Sequence, residues 1–466
     1  MEGSILMNII QQSMELITKS YYSNLEKALT GDINLSSLVL STEEAVMELG
    51  RNMVKAVLET LDKEIKDSKA RKKDWYVERI KEERTLNTLL GEISYHRTYY
   101  THKKTGEYSF LSDNQLGILP HERMDKSLKA RIVKNATTMS YQRSIDQLSR
   151  SGIRSKMSVL NAIREMETVP NEAAEIKKVE TPEIIYIEAD EDHISMQRGP
   201  ASISRIAYVH EGREQVNKGR YRLKNTRYFT DTNSNHEDMW LDIATYLEET
   251  YEMDKVKKVY LSGDGASWIK AGSSWISRSK YVLDRFHLSK AIKKATAQKP
   301  ILSEPLWNYI NRGMKKDASN LMDIIAESAE TEAKKKGVQE IKRYILNNWA
   351  GIQRQKEKEY IGCSAEGHVS HILSSRMSSR PMGWSKQGMQ QMSSMLVFNS
   401  NGGDFSEYIK KKQERELEDT RIMKLDKRVV KKAINSFRGT IQNISLLPLG
   451  KMTGTAVILK SLRGII

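Results

Sequence analysis

Cysteine occurs once in 466 residues, at Cys363. No disulfide can close within the chain, and no CxxC or Cys/His cluster is present to hold structural zinc. Proline takes 8 positions and glycine 26, too few for collagen-like, elastic or wholly disordered classes. No apolar run approaches the roughly 18 to 20 residues that span a bilayer. The opening MEGSILMNIIQQSMELI carries Glu2 where a secretion signal places Lys or Arg. Neither secretion nor membrane insertion is expected, and a reducing cytoplasm is the expected location. What is present is material for a core, 39% hydrophobic residues, in a length that predicts roughly two to four domains.

Acid is in deficit. Asp and Glu number 60 against 75 Lys and Arg, giving +15 and the charge balance of a polyanion binder. The excess is concentrated in two segments. Residues 123–164 hold ten basic side chains against Asp125 and Asp146, and residues 421–466 hold ten against Asp426 alone. A solvated helix face accounts for one such run. Two, flanking a more balanced middle, favour nucleic acid.

Residues 1–80 read as a helical N-terminal region. Val46, Leu49, Val54, Val57, Leu58 and Leu61 recur at helical intervals, with Thr42 placed to cap the helix. Residues 81–120 read as a small β element rich in Thr, Tyr and Ile, with KKTGE around Gly106 as a hairpin turn. Residues 121–166 read as a helix-turn-helix. One short helix passes through Ile145 and Leu148, the chain breaks at Ser151, Gly152 and Ile153, and a second helix opens at Ser155 and buries Val159, Leu160 and Ile163. Lys156, Ser158, Asn161 and Arg164 are then free to face DNA. An ordinary αα-hairpin is the competing reading. Residues 167–183, with Pro170 and Pro182, read as a linker.

From 184 to 290 come three strand-like runs (IIYIEADEDHISMQ, SRIAYVHEGREQV, GRYRLKNTRYFTDTN), the amphipathic helix HEDMWLDIATYLEETY, and two strand-then-helix units. This α/β order predicts a mixed sheet of the ribonuclease-H-like kind. Residues 291–360 are helical by period, and 361–420 read as the second part of the core. Residues 421–466 form a basic C-terminal tail.

Asp190 follows the apolar run of the first core strand, and Asp264 ends the fourth. Strand ends are where open α/β sheets build sites. Two carboxylates from adjacent strands, with a third from a later helix, suit Mg²⁺, which takes oxygen ligands and keeps some waters. A pair of such ions supports in-line phosphoryl displacement. Asp192 shares a strand face with Asp190 and competes for the first position.

The strings YIEADEDHISMQ, VYLSGDGASWIK, YVLDRFHLSKAI and SAEGHVSHILSSRMSSRPMGWS resemble bacterial insertion-sequence transposases of the ISLre-two group, grouped as an uncharacterised protein family. The resemblance runs from RTLNTLLGEISYHRTYY onward. It implies a DDE transposase with a ribonuclease-H-like catalytic core, and assigns Asp190, Asp264 and Glu366 as catalytic, metal-holding residues. Asp284 and His287, within DRFH, match the signature that related transposases carry after the second aspartate. Asp190 to Asp264 spans 74 residues, and Asp264 to Glu366 spans 102, which leaves room for a helical insertion at 291–360. In that insertion Trp307 and Trp349 read as core anchors ahead of base-stacking residues.

Around Glu366 stand His368, His371, Arg376, Arg380 and Trp384, donors suited to a phosphodiester, with Arg376 and Arg380 the expected DNA contacts. The histidines also suit hydrogen bonding within a core, and for His287 that reading is slightly favoured over direct catalysis. His368 and His371 lack further ligands for zinc, and Cys363 reads as a small buried filler.

The expected function is binding of terminal inverted repeats and Mg²⁺-dependent cleavage and strand transfer into target DNA, with Mn²⁺ a possible substitute. At least two protomers are expected on DNA, in a bacterial, nucleoid-associated setting. A non-catalytic DNA-binding regulator and a structure-selective nuclease on the same fold are the rivals.

Overall fold

The structure, a computed structural model, describes residues 17–176, 179–231 and 235–417. The expected basic tail, 421–466, lies outside the described residues. The chain divides into two compact units. Among the described residues, one takes 17–132, 141–158 and 409–417, the other 133–140, 159–176, 179–231 and 235–408.

In the first unit, residues 17–30 are helical, and a 33-residue helix, Leu35–Asp67, follows. Its cap is Asn34, whose side chain accepts from the Ser37 N–H at 2.9 Å. Thr42 lies inside the helix with its hydroxyl on the Leu38 carbonyl, so the expected cap is corrected by two turns. Helix does not continue to residue 80 either: the chain turns extended at Trp75 to start β1 (Trp75–Thr88). β1 pairs antiparallel with β2 (Gly91–His102), and the KKTGE turn carries β2 into a short β3 (Tyr108–Ser109). Leu89 and Leu90 form the tight β1–β2 turn, where no Asn-Gly signal marks it.

The long helix packs on this sheet through Leu58, Asp62 and Ile65. Asp62, though buried, accepts from the Thr98 N–H, the Thr98 hydroxyl and the Ser112 hydroxyl. Of the apolar stripe read from the sequence, Leu58 is buried on the sheet and Leu61 packs beside it, whereas Val46, Val54 and Val57 are exposed. Two helices of the expected helix-turn-helix are present, Tyr141–Asp146 and Lys156–Met166, with Gly152 at φ 81° between them. The division between units falls after Ser158, within the second helix. That helix buries Val159 and Ile163 together with Ala162 and Met166; Leu160 is half-buried.

The second unit is mixed α/β, built on a five-stranded sheet. β4 (Ile184–Ile194) is central. On one side it pairs antiparallel with β5 (Ser202–His210), and β5 pairs antiparallel with β8 (Arg227–Thr230). On the other side β9 (Lys258–Gly263) runs parallel to β4, and β10 (Ser279–Leu283) parallel to β9, giving the order β10-β9-β4-β5-β8. β6 (Arg213–Asn217) and β7 (Arg220–Leu223) form a separate two-stranded hairpin between β5 and β8. Alternation along β4 sends Ile185, Ile187 and Ala189 to one face. There the helix His236–Thr250 covers them with Met239, Trp240, Ile243 and Leu247. Each buried Ile, Leu or Met among them contributes about 1.5 to 3 kcal/mol. Glu188, Asp190 and Asp192 alternate with these residues on the opposite face.

Residues 167–176 are not a free linker. Val169 and Asn171 are buried, the Val169 N–H donates to Ser394 Oγ at 3.0 Å, and Asn171 bonds both the Thr230 backbone and Asp242. The polar composition that suggested a linker supplies these anchoring bonds. Helices Ser303–Arg312, Lys315–Glu327, Glu332–Asn347 and Trp349–Arg354 enclose their own apolar cluster with the helix Arg285–Ala295. Trp307 and Trp349 pack against it, and the Arg285 guanidinium lies over the Trp307 ring. No helix among the described residues is long and apolar enough to cross a membrane.

Candidate functional site

Register brings three aspartates level. The last β4–β9 rung is Glu188↔Ser262; two residues further along these parallel strands stand Asp190 and Asp264. The last β9–β10 rung pairs Leu283 with Gly263, so Asp284 follows beside Asp264. Asp264 and Asp284 follow the carboxyl ends of β9 and β10, and Asp190 lies on β4 just beyond its parallel pairing with β9, the side on which such sheets hold ligands.

Gly263 permits the close approach. A Cβ there would stand 2.7 Å from the Ala189 carbonyl oxygen and 2.6 Å from Ile269. The turn beyond it is fixed by the Asp264 side chain, which accepts from the Ala266 N–H at 2.8 Å, and by the Tyr344 hydroxyl, which donates to the Asp264 carbonyl. Asp284 caps the helix Arg285–Ala295 by accepting from the Phe286 N–H, and this aims His287, one turn on, back over the strand ends.

His287 Nε2 lies 4.0 Å from Asp190, 3.9 Å from Asp284 and 3.8 Å from Glu366. Glu366 reaches this point from the short helix Ala365–Val369. One ligand atom each from Asp190, His287 and Glu366 lie within 4.8 Å of one another. His287 Nε2 is buried and has no hydrogen-bond partner among the described residues. That is contrary to the expectation of a histidine satisfied within the core: the ring nitrogen faces a gap ringed by acids. Two carboxylate oxygens and one imidazole nitrogen form a donor set able to hold a divalent cation.

Electrostatics set Asp190 apart. Burial pushes its carboxyl up to about 6; the Glu191 N–H and His287 oppose this, while the charges of Asp264 and Glu366 add to it. Burial also raises Asp284. Asp192, the rival, is instead occupied, accepting from the Ser378 hydroxyl at 2.7 Å.

The donors expected around Glu366 separate. Arg376 is buried, its Nε donating to the Ala136 carbonyl at 2.7 Å and its guanidinium lying over Trp384; it is a structural strut, unable to meet DNA as expected. Arg380 and His371 are exposed. His368 is bonded to the Tyr228 hydroxyl at 2.8 Å and lies 4.4 Å, centroid to centroid, from Tyr208; burial lowers its pKa. Lys156, Asn161 and Arg164 are exposed and Ser158 half-buried. Cys363 is half-buried and its thiol is pushed up by burial and by Glu188.

Glu188 went unnoticed in the sequence reading. It is 2% exposed and accepts from the Tyr208 hydroxyl, from Ser364 and from His210 Nε2 at 3.0 Å. Burial pushes its carboxyl up, but His210, Tyr208 and the Ser364 N–H outweigh this and hold it below its usual range. The alternation Glu188, Asp190, Asp192 was the available signal.

The model of an uncharacterised protein family, UPF0236, matches residues 28–414. Similar curated proteins come from Caldanaerobacter subterraneus subsp. tengcongensis. A UPF0236 protein whose name carries eleven loci, TTE0033 to TTE2212, is 41% identical over 466 residues, 99% of each chain. The UPF0236 protein TTE2489 is 42% identical over 438 residues, 92% of this chain and 93% of its own. Among solved structures, the chain is similar to one in the Drosophila P element transposase strand transfer complex. That likeness covers 72% of this chain and 90% of the other at 10% identity, and its TM-score of 0.24 is too low to argue from.

Proposed function

The chain belongs to the uncharacterised protein family UPF0236, and we propose that it is a DDE-type transposase, cutting and joining DNA at a metal-dependent site formed by Asp190, Asp264 and Glu366. One observation carries the reading: Asp190, Asp284 and Glu366 surround His287, with one ligand atom each of Asp190, His287 and Glu366 within 4.8 Å of the others, while Asp264 stands outside that donor set and bears on Asp190 as a neighbouring charge. The sheet order supports a ribonuclease-H-like core, with three antiparallel strands in sequence and two parallel strands added beside the first. The relative named for eleven loci of one genome supports an element that multiplies.

Asp190, Glu366 and His287 would hold a divalent cation, Mg²⁺ or Mn²⁺, with Asp264 beside them. Bound there, the cation supplies Lewis-acid stabilisation of charge on the reacting phosphoryl group. The chain's own residues prepare that site. Asp284 orients His287 through the helix it caps, and the buried wall around Asp190 keeps its carboxylate poorly hydrated and ready for a cation. Exposed Glu366 closes the gap from the solvent side. Lys156, Asn161 and Arg164 serve end recognition, and Arg380 is the remaining contact beside the acids.

The test uses the full chain, DNA carrying its own gene with both flanks, a target plasmid, and Mg²⁺ or Mn²⁺. Labelled ends are expected to be nicked and joined to the target. Asp264→Asn abolishes both steps while end binding in EDTA stays within about twofold. Cleavage without joining would identify a nuclease, and binding without cleavage a regulator.

A further inference from the structure

Between β5 and β8 the β6–β7 hairpin stands apart in charge. Residues 213–227 hold six Lys and Arg against Glu214 alone. Arg213, Lys218, Arg220, Arg222 and Lys224 are exposed, whereas Arg227 is buried and bonded to backbone carbonyls. Tyr221 is 53% exposed, with the Arg213 guanidinium 4.9 Å from its ring centre. Arg222 pairs with Glu214. At the base of the hairpin opens a cavity of about 580 Å³ whose lining includes Arg213, Tyr221, Arg222, Tyr228, Ser364 and His368. Ser364 and His368 flank Glu366 along the chain, so cavity and acidic gap share one short helix.

We propose that this hairpin and cavity bind an unpaired nucleotide of a DNA strand, its base among Tyr221, Tyr228 and His368 and its phosphates on Arg213 and neighbouring hairpin cations. The inference deepens the transposase reading and rests on it, since it names where the strand lies beside the acids. Three features select this ligand. The volume falls in the range of small-molecule pockets, roughly 300–1,000 Å³. Aromatic faces beside guanidinium groups are the combination that binds single strands without reading sequence, stacking for the base and charge for the backbone. The buried Glu188 carboxylate also lines the cavity, which disfavours a free anion there and leaves the phosphate charge to the exposed hairpin cations. His368 already bonds Tyr228 through Nδ1, which leaves Nε2 as the ring's remaining polar atom for a base edge.

The test measures binding of the full chain, in EDTA, to a labelled twelve-nucleotide thymidine strand and to an abasic strand with the same phosphates. Wild type is expected to prefer the thymidine strand by about tenfold, the effect of one stacked base. Tyr221→Ala brings the two strands to near-equal affinity, and Tyr221→Phe restores the preference. Arg213→Ala weakens both strands alike and lowers the salt dependence by about one charge. No preference in wild type, or a preference unchanged in Tyr221→Ala, overturns the inference. Failure of the transposase reading is distinguishable: there the thymidine preference and its loss persist, but no metal-dependent cleavage of element DNA occurs. A chain that binds neither strand overturns the inference and leaves the transposase reading to its own test on element DNA.

Discussion

Asp190→Asn should make the metal-free protein more stable while destroying its chemistry. The Asp190 carboxyl is raised from 3.8 to about 6, a difference worth about 3 kcal/mol once the group is fully charged. The sign follows from proton binding. A carboxylate whose folded pKa lies above its unfolded one contributes its full stability below about 3.8, loses it progressively between 3.8 and about 6, and leaves the fold weakened above that. Asparagine mimics the protonated form and can keep the bond from the Glu191 N–H. At pH 7.5 in EDTA the substitution therefore gains about 3 kcal/mol, or roughly 6 °C in melting temperature for a unit of this size. At pH 4.5 the gain falls to about 1 kcal/mol. Thermal melts at the two pH values, with EDTA and with Mg²⁺, make the assay. Wild type is expected to gain stability from Mg²⁺, and the variant to gain almost none. A variant less stable than wild type at pH 7.5 in EDTA, or a gain independent of pH, would refute the claim that burial and neighbouring acids strain Asp190.

Three further outcomes follow from the packing. Gly263→Ala forces a Cβ against the Ala189 carbonyl and Ile269, so β9 must shift beside Asp190; metal-dependent cleavage is expected to fall at least tenfold, measured alongside circular dichroism to verify the fold. His210→Ala leaves the buried Glu188 carboxylate without its hydrogen bond from His210 Nε2, and losing a hydrogen bond to a charged group costs about 1.5 to 3 kcal/mol, readable by urea denaturation. Asn34→Ala removes the cap of the long first-unit helix and should cost about 1 kcal/mol, seen as loss of helicity on warming before the second unit melts.

The strand and helix succession of the second unit was legible because apolar runs of four to six residues alternated with clear breaks, as in IIYIEAD and VYLSGDG. Near the N-terminus the pattern held at Leu58 and Leu61 but misled at the valines of the same helix. Val46, Val54 and Val57 keep helical spacing yet face outward, since the sheet-facing stripe is anchored by a buried acid, Asp62, bonded to Thr98 and Ser112. No hydrophobicity pattern can announce a carboxylate as a core residue; only its partners, 36 and 50 residues away in the chain, make its burial affordable. Arg376 failed as a DNA contact for the same reason: charge was read as exposure, while a backbone carbonyl from residue 136 and the Trp384 ring were waiting for it.

The three acids of β4 show why the proposed metal-holding position could not be chosen from the strand alone. Glu188, Asp190 and Asp192 alternate onto one face and are equivalent by pattern, but the structure gives each a different surrounding. Glu188 is compensated by His210 and Tyr208, so its charge is already spent within the protein. Asp192 is engaged by the Ser378 hydroxyl and half-buried. Asp190 is nearly buried and meets Asp264 and Glu366 as like charges, with His287 still 4.0 Å away and out of hydrogen-bond reach. A buried carboxylate surrounded by more carboxylates is unfavourable unless something positive joins it. That unmet charge is what the proposed cation site rests on, and it predicts that swapping the roles fails: Asp192→Asn should retain most of the proposed cleavage, within about threefold, where Asp190→Asn retains none.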